Sequence, residues 1–194
     1  MVDIPRLLLG SLLLRPYVFA FLAAHLVGAG ALFGWQRTAA FTLITWGVAF
    51  AAEASSIRTG IPFGWYYYVA TTAGRELWIA GVPFFDSISF PFLLVSSYGL
   101  AWWILSDRGD GVKRPRPGRV RHLLLATTLF VLADVIIDPV ALRGDRWFLG
   151  RIYGYPEPGI YFGIPMANFL GWGVVGVVAT GLYHAWERRY AELP

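Results

Sequence analysis

Two carboxylates stand four residues apart in an apolar run: Phe130-Val131-Leu132-Ala133-Asp134-Val135-Ile136-Ile137-Asp138-Pro139, at the end of a stretch that begins at Leu123. Residues four apart share one face of a helix, so Asp134 and Asp138 point the same way. A lone charge in hydrocarbon costs several kcal/mol or more, so acids placed there normally face a bundle interior. Glu53 lies inside a second apolar run, flanked by Ala51, Ala52 and Ala54, and Asp86 and Asn168 stand at the starts of two more. Burial disfavours a charged carboxyl, and a second carboxylate nearby disfavours it further. One member of such a set can then be a neutral acid while another stays ionised. A pair of this kind can protonate an unactivated alkene and then deprotonate a water. Aromatic faces stabilise a tertiary carbocation between the two steps, and Gly60-Ile61-Pro62-Phe63-Gly64-Trp65-Tyr66-Tyr67-Tyr68 follows Glu53 closely.

Other chemistries find less support. The histidines (His25, His122, His184) fall in separate apolar runs with no His-x-x-x-His or Glu-x-x-His pair, and the chain has no cysteine. Neither thiolate nor clustered-histidine metal sites are therefore expected. No glycine-rich phosphate loop follows a strand. The Asp-x-x-x-Asp spacing resembles the magnesium-binding acids of prenyltransferases, but the clustered Asp-rich runs and neighbouring basic residues of those sites are missing, and Pro139 is expected to fray or kink the helix. No metal and no cofactor is expected.

Several residues have two readings. Glu53 is either an acid of the site or a partner of Arg58. Asp86 can cap a helix, face a ligand, or do both. His25 is either a buried imidazole bonded to a neighbouring helix or a proton-handling group. The Trp65–Tyr68 rings either form an interfacial belt or line the site.

The elements that must bring these residues together are membrane-spanning. Hydrophobic residues make up 57% of the 194 and charged ones only 14%, with a mean hydropathy of +0.55. A soluble domain carries about 25% charged residues. The expected fold is all-α, a polytopic helical membrane protein forming one integral-membrane domain over residues 1–194. About five crossings are expected: Tyr17 to Trp35, Thr38 to Ser56, Phe84 to Leu105, Leu123 to Leu142 and Tyr161 to Trp186. Residues 1–15 form an interfacial segment with no sign of a cleaved signal. A sixth crossing through residues 61–82 is the alternative, at the cost of carrying Arg75 and Glu76 into lipid.

The formal charge of +4 collects in loops rather than on a nucleic-acid-binding face. Residues 106–121 hold six of the sixteen basic residues, which places that loop in the cytoplasm. Five crossings then put Glu53, Asp86, Asp134, Asp138 and Asn168 at the outer ends of four spans, with the N-terminus outside. Arg6 and Arg15 count against that orientation. A short internal repeat counts for it: Gly81-Val82-Pro83-Phe84-Phe85-Asp86 and Gly163-Ile164-Pro165-Met166-Ala167-Asn168 share Gly-(Val/Ile)-Pro-x-x-(Asp/Asn). Each follows an acid-bearing span and an aromatic loop, so the two hairpins should turn on the same side.

The run Glu53 to Tyr68, the Gly81-Val82-Pro83 element, Ala133 to Val140 and Tyr161 to Trp172 resemble the CruF-type carotenoid hydratases over roughly residues 45–185. The Asp-Pro block and Gly-Ile-Pro-x-x-Asn-x-x-Gly-Trp are the most specific parts. The resemblance implies addition of water across the terminal isoprenoid double bond of a linear carotene end, giving a tertiary alcohol. Many members are longer. The expected acids and bases are Glu53 and Asp134, with Asp138 and Asp86 as supporting carboxylates. Asn168 would orient water or a carboxyl. Trp65, Tyr66, Tyr68, Trp172 and His25 would line the substrate site. The expected partners are a membrane-dissolved carotenoid, the bilayer of a prokaryotic inner membrane and other enzymes of the pathway, with no nucleic acid. A lycopene-cyclase-like isomerase and a non-catalytic carotenoid-binding or assembly protein are the alternatives.

Overall fold

A computed structural model describes residues 3–106, 118–146 and 150–191. Most of the loop expected to be basic and cytoplasmic, 106–121, lies outside the described residues. Among the described residues there are six α-helices: α1 (Ile4–Leu14), α2 (Pro16–Phe33), α3 (Trp35–Thr59), α4 (Ser89–Leu105), α5 (Arg119–Ala141) and α6 (Met166–Ala191). Among the described residues, α2, α3, α5 and α6 are long and apolar enough to cross a bilayer. The apolar α4, at 17 residues, reaches ~26 Å at 1.5 Å per residue and brings the crossings to five, third among them in chain order. The protein is an all-α, multi-pass membrane protein. The third crossing starts at Ser89 rather than Phe84, and the fifth at Met166 rather than Tyr161. The residues before each of them form tight turns instead.

The sixth crossing is not formed. Residues 60–88 fold as a loop carrying three two-residue strands, β1 (Tyr67–Tyr68), β2 (Trp78–Ile79) and β3 (Val82–Pro83). A fourth, β4 (Tyr153–Gly154), lies in the α5–α6 connection and pairs antiparallel with β1, Tyr67 opposite Gly154 and Tyr68 opposite Tyr153. The two long connections are thus joined to each other on one side of the bundle. At the other end the Tyr190 hydroxyl of α6 bonds to Gln36 at the start of α3.

The short repeat is also a repeat of backbone geometry. Ala80 and Phe162 are the non-glycine residues with positive φ among those described, both at 51°, and the glycine after each is at 81° and 85°. Two successive positive φ values make the tight hairpin turn that matches strand twist. Ile79 pairs with Val82 across one turn and Tyr161 with Ile164 across the other. After each turn the residue three past the proline bonds its N–H to the proline carbonyl, Asp86 to Pro83 and Asn168 to Pro165, both at 3.0 Å, but Asn168 already lies in α6 whereas Asp86 precedes α4.

Arg15 explains itself. Its guanidinium bonds to Glu76 through Nε at 3.1 Å and Nη2 at 3.0 Å, both partners buried, while Leu77 N donates to Ser11 Oγ at 2.9 Å. The α1–α2 junction is clamped to the acid-side loop, where Arg15 has an anion to pair with. Arg6 lies exposed on α1.

Pro139 does not end its helix, contrary to expectation. α5 runs through it to Ala141. A proline at that position withdraws the N–H that would have bonded to the Val135 carbonyl four residues earlier. The Tyr161 hydroxyl donates to that carbonyl instead, at 3.3 Å, and Leu142 N closes the next turn on Asp138 O at 3.0 Å. Asp134 and Asp138 therefore stay on one helical face. The core beneath them joins Phe41 and Ala49 of α3, Phe90 and Leu94 of α4, Phe130 of α5 and Trp172 and Val175 of α6.

Candidate functional site

Each long hairpin contributes half of an acid cluster. In the second, the Asn168 amide Nδ2 lies 2.8 Å from Asp134 Oδ2 and 2.8 Å from Asp138 Oδ2. The Tyr153 hydroxyl donates to Asp138 Oδ1 at 2.6 Å, and Tyr155 donates to its Oδ2 at 3.4 Å. Asp134 is 1% exposed, and among the described residues no donor reaches its Oδ1. The two aspartates are close enough to act on each other's charge.

In the first hairpin, Ser87 Oγ donates to Glu53 Oε2, and Glu53 is 4% exposed. The Tyr68 hydroxyl reaches both Glu53 and Asp86 and lies 3.3 Å from the Tyr66 hydroxyl. Arg58 does not pair with Glu53: its guanidinium bonds to the carbonyls of Ala54 and Ala80. Nor does the Asp86 side chain cap α4. Its backbone carbonyl accepts from Ser89 N and Oγ, which leaves the carboxyl to the site.

The halves meet in one cavity of about 810 Å³, lined by all four acids together with Asn168, Tyr66, Tyr68, Trp172 and His25. Asp86 and Asp138 are near enough to interact electrostatically across it. Asp86 lies in the loop before α4, and burial pushes its carboxyl up to about 6, eased by the Tyr68 hydroxyl and the Arg15 guanidinium. Burial likewise raises the phenols of Tyr66, Tyr68, Tyr153 and Tyr155, with neighbouring carboxylates adding to it. All four remain neutral donors at physiological pH. The apolar wall carries a stacked ring pair: Phe90 and Trp172 lie near-parallel at 4.3 Å, backed by Phe130 tilted against Trp172 at 4.6 Å.

Trp65 is not brought to the cavity. It is 57% exposed, its indole lying against Gly60. Of the first loop's rings, Phe63, Tyr66 and Tyr68 turn inward. His25 lines the cavity on α2, with Nε2 2.7 Å from Thr42 Oγ1 on α3. The Thr42 hydroxyl spends its own hydrogen on Thr38 O at 2.7 Å, so the imidazole donates from Nε2. That is the buried, interhelical reading of this residue.

Tyr153, Tyr155, Ser87 and Phe90 were not singled out from sequence. The tyrosines had a signal: Tyr66-x-Tyr68 and Tyr153-x-Tyr155 alternate, so each pair shares one face of an extended strand. The serine and phenylalanine had none.

The profile of a family described as "Carotenoid biosynthesis protein" matches residues 10–193. A curated relative, bisanhydrobacterioruberin hydratase of Haloarcula japonica, is 31% identical over 144 residues, covering 74% of this chain and 42% of the relative. The chain thus spans less than half the length of that protein. No solved structure matches.

Proposed function

We propose that this chain, which belongs to the carotenoid biosynthesis protein family, is a hydratase that adds water to the terminal double bond of a linear, membrane-dissolved carotene end. The observation that carries the reading is the single cavity in which Glu53, Asp86, Asp134 and Asp138 converge from separate stretches of chain beside the Phe90–Trp172 ring stack. The name of the haloarchaeal relative supports the same reaction class.

Asp134 is the proton donor. Its proton goes to the less substituted carbon of the double bond, the π pair forms the new C–H bond, and a tertiary cation remains on the neighbouring carbon. Trp172, Phe90 and Tyr66 present ring faces to that cation. A water oxygen then forms the C–O bond and loses a proton to Glu53, with Asp86 as its neighbouring carboxylate. The proton gained at Glu53 returns to Asp134 by way of water in the cavity, so alkene and water give a tertiary alcohol with no net change in the enzyme. Asn168 and the neutral phenols of Tyr68, Tyr153 and Tyr155 hold the carboxyls in register, with Tyr66 bonded to Tyr68 behind them.

The basic residues of 106–121, with Arg188 and Arg189 in the last turn of α6, orient the protein in a prokaryotic inner membrane with the acid site toward the outer face. Expression in cells that accumulate lycopene, with pigments resolved by chromatography and mass, tests the reaction. A product heavier by one water supports the hydratase. A cyclised isomer of unchanged mass would mean that an internal double bond, not water, captures the cation. Unaltered lycopene with the protein present in the membrane would leave a carotenoid-binding role.

A further inference from the structure

The acid cluster occupies only one end of its cavity. The rest is a groove between α2 and α4, running from Val18 and Phe85 beside the acids to Leu32 and Leu100 at the opposite end. Val18 to Leu32 corresponds to ~21 Å along a helix, about two-thirds of the ~30 Å hydrocarbon thickness. Groove-lining residues are at the same time exposed on the outer face of the bundle: Phe21, Ala24, Gly28 and Leu32 on α2, Ser96 and Leu100 on α4. The groove is therefore open sideways to the bilayer. Phe21 and Phe92 bridge the two helices near the acid end, ring centroids 5.6 Å apart.

We propose that this groove seats the long unreacting stem of an extended polyene, admitted sideways from the membrane, and that Gly28 and Gly99 set its bore. The proposal rests on the reading of the acid cluster as the place where the chain's end reacts. Three features select the occupant. Two helices form its walls along its length, which suits a stiff, extended conjugated chain. Apart from His25 and Ser96 its wall beyond the acid end carries no polar side chain, so it takes hydrocarbon. Its polar end holds four carboxyls, of which the ionised members repel the phosphate of an ordinary membrane lipid, so the site accepts a chain with no head group. A Cβ built on either glycine would meet nothing within 4 Å, so both mark open bore rather than helix contact.

The test uses the full chain in detergent or lipid nanodiscs, with lycopene as the long probe and a short acyclic isoprenoid carrying the same end as the second substrate. Gly28→Leu combined with Gly99→Leu should lower lycopene retention on purification, read by visible absorbance, by about tenfold or more. It should also shift the ratio of long- to short-substrate conversion against lycopene to a similar degree. Gly47→Leu on α3, another glycine with open space around it but outside the cavity, is the folding control and should behave as the unsubstituted protein. Lycopene retention and conversion unaffected by the double substitution would overturn the groove, as would phospholipid in place of lycopene on the purified protein. If lycopene is retained, and blocked by the two leucines, but never hydrated, the groove stands and the hydratase reading fails.

Discussion

The Asn168 amide nitrogen donates to Asp134 at 2.8 Å and to Asp138 at 2.8 Å, spending both of its hydrogens on the two carboxyls. One side chain thereby fixes the separation of the acids and the direction each faces. Asn168→Leu keeps the volume and removes both donors. Hydrogen bonds to charged groups are worth ~1.5–3 kcal/mol, so hydration should fall roughly ten- to a hundredfold. Product formation in membranes, normalised to protein content, measures it.

Asp134 and Asp138 should not be equivalent. Asp138 is held by Tyr153, Tyr155 and Asn168, whereas among the described residues Asp134 meets the Asn168 amide and the Asp138 carboxyl but no phenol, and its Oδ1 has no donor. A positioned general acid contributes about 10²–10⁴-fold, and Asp134→Asn should cost that much in turnover while leaving bound pigment in place. Asp138→Asn should cost less, since it removes support and not the donated proton. Parallel turnover and pigment-retention assays on the two variants separate the roles, and equal losses would remove the assignment of Asp134 as donor.

Much of this arrangement was legible in the chain. Apolar runs near twenty residues mark the spans, and the i, i+4 spacing by itself puts Asp134 and Asp138 on one face. The Gly-(Val/Ile)-Pro repeat was legible as a pattern, but not its cause, because φ is not written in residue types: Ala80 and Phe162 adopt left-handed backbone where glycine is the usual choice. Pro139 misled, since its local rule ends helices, and the compensating Tyr161 hydroxyl comes from another element. Trp65 misled for a related reason. An aromatic run has no alternation strong enough to say which rings turn inward, and pairing between β1 and β4 decided it. The Arg15–Glu76 pair, 61 residues apart, had no local signal.

Turnover should rise with pH through a limb near pH 6. Asp86 has its carboxyl pushed up to about 6 by burial, and the ionised form is the one that assists Glu53 in taking a proton from water. Asp86→Asn should remove that limb. Stability carries the opposite sign. In the unfolded chain the carboxyl ionises near its ordinary value of about 3.9, so between there and pH 6 the unfolded state holds fewer protons and the fold loses stability as pH rises. Thermal unfolding in detergent across pH 4–7 should show Asp86→Asn flattening that decline.

Tyr161→Phe removes the donor that replaces the N–H missing at Pro139 and leaves the Val135 carbonyl unpaired in the helix. The cost should be about 1 kcal/mol. Pro139→Ala restores the helical N–H, so in the Pro139→Ala background the same Tyr161→Phe change should cost close to nothing. A double-mutant cycle of thermal unfolding measures the difference. Additive effects would mean that the phenol and the proline act independently.

The Arg15–Glu76 pair predicts two coupled effects. Its side chains are 10% and 1% exposed, and the Thr72 hydroxyl adds a bond to Glu76. Removing one partner of a buried pair strands the other charge, at a cost of roughly 3–5 kcal/mol. Arg15→Met should therefore destabilise the protein strongly, and adding Glu76→Leu should recover most of the loss. The guanidinium also favours the ionised form of Asp86, and the Glu76 carboxylate opposes it more weakly. Arg15→Met alone should accordingly move the pH limb of turnover above 6, and adding Glu76→Leu should bring it back toward 6, although neither substituted residue lines the larger cavity. A limb that stays at 6 in Arg15→Met would show that Asp86 titrates without sensing Arg15.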